Sequence, residues 1–492
     1  MATRADSPVQ DQPPDRAHGL RRELRFWEAI ALSIGIMAPT AAMALNGVAP
    51  AGLIGRAVPL AFIFATIGIL FVAYAFIRLT RYFAHAGSVY ALTGMTLGPQ
   101  AGFFSGWALL GTYLCFTCAS TAEAGLFGQA FFQSTGIWNS VDWIIIALVA
   151  AAGIAVLALG DVKIATRSLL GLEGISVTLI LILMVVIVVK LIAGSPPDHQ
   201  TITAKVFDVP KGIGIATIGS AAVFGFLSFG GFEGAASLGE ETANPRREIP
   251  RAILFAVLGC GAFYILCIIV QTWGFGVDAA GVKAFSSSAA PLGDLGKSYV
   301  GSSMSDAINA GATISAFASG LGATAAAGRI LFAISRDTPA RRFLGVASER
   351  TGAPAGALIV VMIIGFGAIV VQRIIGVSAV NSFFYPGTIG VLAMLVAYLV
   401  TNLGGVNFLF IRARRAPLWE IVIPIIAMAI IVYTFYKQVH GVPFPYTRFP
   451  IVVGIWVLVG LAIVLVVPGL AKRIGVSLAR EEGFEVEGET AV

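Results

Sequence analysis

The feature that most constrains this chain is a hydrophobic segment, residues 224–239, that is too irregular to form one continuous helix. Five of its residues interrupt the apolar run, namely Gly225, Gly230, Gly231, Gly234 and Glu233. Lipid offers no partner to a free backbone N–H or C=O, so a broken helix persists in a membrane only where it lines a protein cavity. A second interruption occupies residues 33–40 and contains Pro39. Two breaks placed alike in two halves of a chain are typical of transporters built from inverted repeats.

The composition identifies a polytopic membrane protein of the all-α class. Hydrophobic residues make up 57% of the 492 and charged residues 12%, whereas soluble domains carry roughly 25% charge. Segments of about 20 apolar residues can span a bilayer as helices. About twelve such segments are predicted, at residues 27–52, 58–79, 101–132, 141–160, 169–193, 213–239, 251–276, 305–335, 355–376, 383–411, 419–437 and 450–470. A short helix after residue 87 is expected to lie along the membrane interface.

The distribution of basic residues predicts the orientation. With the N-terminus inside, 23 of the 32 Lys and Arg residues fall in the cytoplasmic loops and tails and 9 fall outside. Cytoplasmic loops carry such an excess, so we expect a multi-pass protein of the cytoplasmic membrane, in contact with lipid, with both termini in the cytoplasm. Residues 1–25 and 473–492 are predicted to be the two cytoplasmic tails, the second disordered, around a transporter domain at 26–472. The net charge of +6 forms no basic stripe, so nucleic acid is not an expected partner.

The sequence contains no pattern typical of an enzyme's catalytic site or of a cofactor site. Cys115 and Cys118 form a Cys-x-x-Cys pattern, but it lies in an apolar run without a second ligand pair, so neither a metal nor a cofactor is expected. The phosphate loop of ATPases is missing, and the four histidines are scattered. The alternative from another class is an ion channel, which would require rings of like charge or repeated filter loops; neither is present.

The two breaks offer complementary groups to a small zwitterion. At the first, the N–H groups of Ala38, Thr40 and Ala41 are predicted donors for a carboxylate, because Pro39 itself lacks an N–H. At the second, the carbonyls of residues 226, 227 and 229 are predicted acceptors for an ammonium group. The side chains of Phe226, Phe229 and Phe232 are expected to wall an apolar part of the ligand.

The motifs around the second break resemble those of the amino acid–polyamine–organocation (APC) superfamily of permeases. The matching stretches are Gly231-Phe-Glu233, Glu240-Glu-Thr-Ala-Asn-Pro245 with Arg246-Arg247, Ile249-Pro250, Gly87-Ser-Val-Tyr90, Leu97-Gly-Pro99, Gly102 to Trp107, and Arg336-Asp337. The resemblance implies a leucine-transporter (LeuT-type) architecture of five plus five inverted helices and two further C-terminal helices. The repeats are then expected at about 26–194 and 212–412, and the extra helices at about 418–470.

The resemblance also implies a function and a site. The chain is expected to be a secondary transporter that moves an amino acid or related amine by alternating access, as a symporter or antiporter. The segments that correspond to the family's substrate site comprise Ile36, Met37, Ala38, Pro39, Thr40, Ala41, Phe226, Leu227, Phe229 and Gly230. Family members often have a Gly-Ser-Gly or Gly-Thr-Gly where this chain has Ala38-Pro39-Thr40. Because of that departure, a polyamine or organocation transporter is an alternative. An amino acid exchanger is a further alternative.

The buried polar residues are candidates for gating and coupling. Glu233, beside the second break, is expected to serve in gating or structure. Sodium ligands would be the carbonyls near Ser33 and Ile36 with the hydroxyls of Ser315 and Ser319. This set has no carboxylate, so protons are favoured. Proton carriers would be Glu123 or Glu173, because ionised carboxylates are costly within the membrane; an ion pair with Arg167 is the alternative role for Glu173. Some relatives carry a lysine where this chain has Ser176, so the built-in cation is missing here.

Overall fold

The computed structural model shows a bundle of long helices. The residues it describes are 25–83, 88–160, 162–198, 200–214, 216–239, 242–336, 341–346, 348, 353–440 and 442–481; side chains of residues 162–169, 336, 341–342 and 477–481 are not described.

Among the described residues, eleven helices are long and apolar enough to cross a membrane, and a shorter apolar helix, Trp143–Leu159, corresponds to the remaining one of the twelve segments that the sequence predicts. They are α1 Phe26–Leu45, α2 Val58–Leu79, α3 Pro99–Ser134, α4 Trp143–Leu159, α5 Val162–Ile192, α6 Ala216–Leu238, α7 Pro245–Phe275, α8 Ser302–Arg336, α9 Ala355–Ile374, α10 Ala379–Val406, α11 Val422–Val439 and α12 Phe449–Val466. The helix α4 is the shortest, with 17 residues, which is at the lower limit for a span.

Burial separates an inner group of helices from an outer one. The most apolar stretch of α6 is entirely buried, and that of α3 is 78% buried. The stretches of α9, α11 and α12 are only 33%, 22% and 28% buried. The side chains that these outer helices expose include large apolar ones, such as Ile363 and Val466. An all-round apolar helix with one exposed side is typical of a span at the rim of a membrane bundle.

The inner helices pack on one another through small residues. The helix α3 lies against both α8 and α10. A Cβ atom at Gly390 in α10 would come within 2.9 Å of the Phe116 ring of α3, and one at Gly320 in α8 within 2.9 Å of Ile154 in α4. Glycine at such positions allows the close backbone approach that drives helix association in membranes.

Two shorter helices differ from the sequence prediction. Helix Val89–Leu97 does not lie along an outer surface, because seven of its nine residues are buried and it packs on α3 and α10. The C-terminal segment is helical over Leu470–Glu481, so the expectation of disorder from residue 473 is wrong up to residue 481. Leu470 and Ile474 are fully buried, and the helix packs on α3. Burial of this apolar face explains the order.

Candidate functional site

The first break divides α1 at a single residue, Ala38, whose φ of 42° is left-handed. Its halves are Phe26–Met37 and Pro39–Leu45. Proline has no N–H and disfavours helical geometry in the residue before it, so the sequence itself dictates a break here. Proline is also favourable at the first position of the half-helix that follows.

Three of the backbone groups that the break leaves without helical partners bind side chains from other helices. The Thr40 N–H donates to Glu173 Oε1 (2.9 Å) and the Ala41 N–H to Ser315 Oγ (3.2 Å). The Ile36 carbonyl accepts from Ser319 Oγ (2.8 Å). The Ala38 N–H still donates to the Ile34 carbonyl (2.8 Å). In this structure the three predicted donors at this break are therefore all in use.

The second break in α6 is longer and is held by its own turns. The regular helix ends at Ser228, Gly231 has a φ of 102°, and a 3₁₀ segment follows over Phe232–Leu238. The carbonyls of residues 226, 227 and 229 each accept an N–H three residues later, at 3.0, 3.1 and 3.2 Å. These predicted acceptors are already used once, although a carbonyl oxygen has a second lone pair.

The two breaks lie against each other. Ser33 Oγ donates to the Phe232 carbonyl (2.8 Å) and accepts from the Ala235 N–H (3.0 Å). A Cβ atom on Gly231 would lie 2.2 Å from the side chain of Ile36. Glycine at 231 is thus required both for its positive φ and for this close approach.

A small buried cavity lies beside both breaks. Its volume is about 30 Å³, roughly enough for one or two water molecules. It is lined by Ile36, Met37, Ala38, Ala42, Asn46, Phe116, Ala119, Ser120, Glu123, Leu227, Gly230, Ser319 and Phe383. Of the residues predicted to bind substrate, Ile36, Met37, Ala38, Leu227 and Gly230 line it. Pro39, Thr40, Ala41, Phe226 and Phe229 do not.

The aromatic wall of the cavity differs from the predicted one. Phe226 points at α2, where a Cβ on Gly68 would meet its ring at 2.9 Å. Phe229 packs edge-on against Tyr264, and Phe232 against Phe76 and Tyr398. The rings in the cavity wall belong instead to Phe116 and Phe383. Each lies among other apolar residues of a predicted membrane helix, and Phe383 is followed by a second phenylalanine, so the sequence alone does not show which ring faces a cavity.

Two residues of the cavity wall have a side-chain oxygen without a partner. Glu123 is 3% exposed and its Oε1 has no hydrogen-bond partner; the same holds for Oδ1 of Asn46, which is 1% exposed. The Asn46 Nδ2 donates to Ser228 Oγ (2.7 Å), whose own hydroxyl donates to the Phe224 carbonyl. The hydroxyl hydrogens of the two serines in the wall are in use, because Ser120 pairs with Ser319 (3.0 Å) and Ser319 donates to the Ile36 carbonyl.

The predicted coupling residues fall into separate places. Ser315 and Glu173 lie at the first break, while Ser176 packs on α8 at Gly311 and bonds the Leu172 carbonyl (3.0 Å). Two members of the proposed sodium set, the Ser319 hydroxyl and the Ile36 carbonyl, are bonded directly to each other, and a third, the Ser315 hydroxyl, accepts from the Ala41 N–H. The side chain of Arg167, considered as a partner of Glu173, lies outside the described residues.

Glu233 lies away from the cavity wall and is fully buried. It accepts hydrogen bonds from Tyr113 Oη of α3 (2.7 Å) and from Tyr398 Oη of α10. It therefore ties the 3₁₀ segment after the second break to two inner helices, a position consistent with either of its expected roles.

Comparisons with known proteins agree with this architecture. A family model described as amino acid permease matches residues 24–470. The chain is 26% identical to the low-affinity putrescine importer PlaP of Escherichia coli K12, over 80% of this chain and 83% of that protein. It is 29% identical to the branched-chain amino acid permease BcaP of Bacillus subtilis, over 51% and 55% respectively. It is 26% identical to the mitochondrial cationic amino acid transporter 3 of Arabidopsis thaliana, over 77% and 62%. With the family model covering nearly the whole chain, this protein belongs to the amino acid permease family of the APC superfamily, as a multi-pass transporter rather than an enzyme.

Proposed function

We propose that this protein is a secondary transporter that moves an amino acid or a related amine across the cytoplasmic membrane by alternating access. The observation that carries the proposal is the buried cavity at the point where two broken helices meet. Non-helical backbone at membrane depth is tolerated only where it is buried in protein or lines a cavity, and in transporters such breaks form the substrate site. The relatives are a putrescine importer, a branched-chain amino acid permease and a cationic amino acid transporter, which supports this substrate range.

The present cavity represents a closed state of that cycle. A volume of about 30 Å³ is too small for an amino acid or an amine, and the Phe116 ring fills the space in front of Gly230, where a Cβ would lie 2.3 Å from it. Substrate binding therefore requires the Phe116 side chain to move. The rigid-body motion of one repeat against the other would open the site to each side in turn.

Uptake by reconstituted vesicles tests the proposal directly. Purified protein in proteoliposomes preloaded with unlabelled putrescine or leucine should accumulate the same labelled compound transiently, as counterflow. An ion channel would show no counterflow and no saturation. Linear, unsaturable uptake, or no uptake of either class, would reject transport of amino acids and amines.

We further propose proton coupling, carried by one of the buried carboxyl groups, Glu123 or Glu173. Both are at most 4% exposed, and each has one oxygen without a partner. Among the alternative sodium ligands, the Ser319 hydroxyl and the Ile36 carbonyl bind each other and the Ser315 hydroxyl binds the Ala41 N–H. Uptake should rise as the external pH falls, because the proton is a co-substrate, and should continue with choline in place of sodium. A protonophore should abolish it. Uptake that requires sodium and ignores the protonophore would contradict proton coupling.

We also propose that both termini face the cytoplasm, as the charge distribution favours. Ser287, in the segment between α7 and α8, and Ala243, before α7, are both exposed. In a cysteine-free background, a cysteine at 287 should react with an impermeant maleimide added to intact cells, and a cysteine at 243 should react only after the cells are opened. The reverse pattern would invert the topology.

A further inference from the structure

The amide groups at the first break are not available to a substrate carboxylate. A Glu173 oxygen lies 2.9 Å from the Thr40 nitrogen, and the Ser315 hydroxyl lies 3.2 Å from the Ala41 nitrogen. Pro39 has no N–H to offer. The Thr40 hydroxyl also lies beside Glu173, and Thr40 is not part of the cavity wall. A carboxylate of the protein itself thus occupies the position where a ligand's carboxylate would find donors.

Two residues of the cavity wall each carry a buried oxygen atom without a hydrogen-bond partner. These atoms are Glu123 Oε1, in α3, and Asn46 Oδ1, in the turn directly after α1. The Asn46 Nδ2 donates to Ser228 Oγ (2.7 Å), and the Ser228 hydroxyl donates to the Phe224 carbonyl (3.2 Å). Among the described residues, the wall contains one carboxyl group and no lysine, arginine or histidine.

Such a wall complements a ligand that donates hydrogen bonds and carries positive charge. An ammonium group has three donors and no acceptor, and it compensates the charge of an ionised Glu123. A substrate carboxylate would instead be buried beside that carboxylate without a donor, which is costly for a charged group. The remaining wall, with Phe116, Leu227 and Phe383, is apolar and suits an alkyl or aromatic stem.

We propose that the substrate is a primary amine without a carboxylate, with its ammonium group bound between Glu123 and Asn46, and that Glu173 excludes α-amino acids by occupying the Thr40 amide. This inference deepens the proposed function and rests on it. The exclusion holds in either protonation state of Glu173, because the carboxyl oxygen accepts from Thr40 in both. Glu173 can therefore still carry the coupling proton.

Pairs of ligands that differ only in the carboxylate test the inference. Putrescine and 3-methylbutylamine should raise the melting temperature of the purified protein, because only ligands of the folded state stabilise it. Their parent amino acids, ornithine and leucine, should bind at least tenfold more weakly. Amino acids that bind as tightly as their amines would overturn the inference and leave the proposed function intact. No stabilisation and no uptake with any of the four would count against both.

Three variants test which residues determine the preference for amines over amino acids. Glu123→Gln should weaken amine binding at least tenfold, because it removes the charge that pairs with the ammonium. Glu173→Ala should free the Thr40 amide and tighten leucine binding at least fivefold, a gain that a purely structural role would not produce. Thr178→Ala, on the exposed side of the same helix, should change neither. If Glu173→Ala does not fold, unchanged amine binding in Glu123→Gln would by itself overturn the inference.

Discussion

The two breaks of this transporter are stabilised in opposite ways. At the first, the freed backbone groups bind side chains from α5 and α8, namely Glu173, Ser315 and Ser319. At the second, the chain closes its own three-residue turns and relies on the glycine at 231. Pro39 sets the position of the first break, but tertiary contacts stabilise it, whereas the second break is stabilised mainly by its own turns. A movement of α5 or α8 would directly change the hydrogen bonds at the first break and would change those at the second break much less.

The largest expected effect is the loss of binding when bulk enters the cavity at either break. Gly230→Leu would place side-chain atoms where the Phe116 ring now lies, and Ala38→Leu would add volume to a cavity of about 30 Å³. Both variants should remain monodisperse in detergent but lose the thermal stabilisation by substrate. Gly174→Leu, whose Cβ would meet nothing within 4 Å, is the matched control. Normal uptake in both cavity variants would place the site elsewhere.

The next largest effect is on stability, when alanine replaces a glycine at the second break and, for comparison, a glycine within a regular helix. Gly231→Ala combines a left-handed φ with a Cβ 2.2 Å from Ile36, which should lower the free energy of unfolding by about 2 kcal/mol or more. Gly35→Ala, in the first half of α1, meets nothing within 4 Å and should stabilise by up to about 1 kcal/mol. Thermal melting in detergent measures both. Equal effects would show that the second break does not depend on its glycine.

A smaller effect tests the tertiary support of the first break. Ser315→Ala would leave the Ala41 N–H buried without a partner, and Ser319→Ala would do the same to the Ile36 carbonyl. Each should cost about 1–3 kcal/mol of stability, whereas Thr178→Ala should be near neutral. Hydrogen exchange at residues 38–42 should increase in Ser315→Ala and stay unchanged at residues 228–232. Equal increases at both breaks would contradict the division between them.

The membrane architecture followed from the sequence with few errors. Twelve apolar segments, the break before Pro39 and the break at Gly230 and Gly231 were all predictable, because each depends on residues that are neighbours in the chain. The helical C-terminal segment was missed, since its order comes from Leu470 and Ile474 packing on α3. The rings of the cavity wall, Phe116 and Phe383, differ from the predicted ones for the same reason, since helix packing decides which of many aromatic side chains faces the cavity.

The sequence by itself determined that this protein spans the membrane as helices, where two of those helices break, and which family it resembles. Periodicity, proline and glycine act through local backbone geometry and can be read from adjacent residues. Only the tertiary structure decided which groups remain free at the site. Glu173 and Thr40 are 133 residues apart in the chain and 2.9 Å apart in space. A hydrogen bond of that kind depends on how whole helices pack, and it turns an apparent carboxylate site into an occupied one.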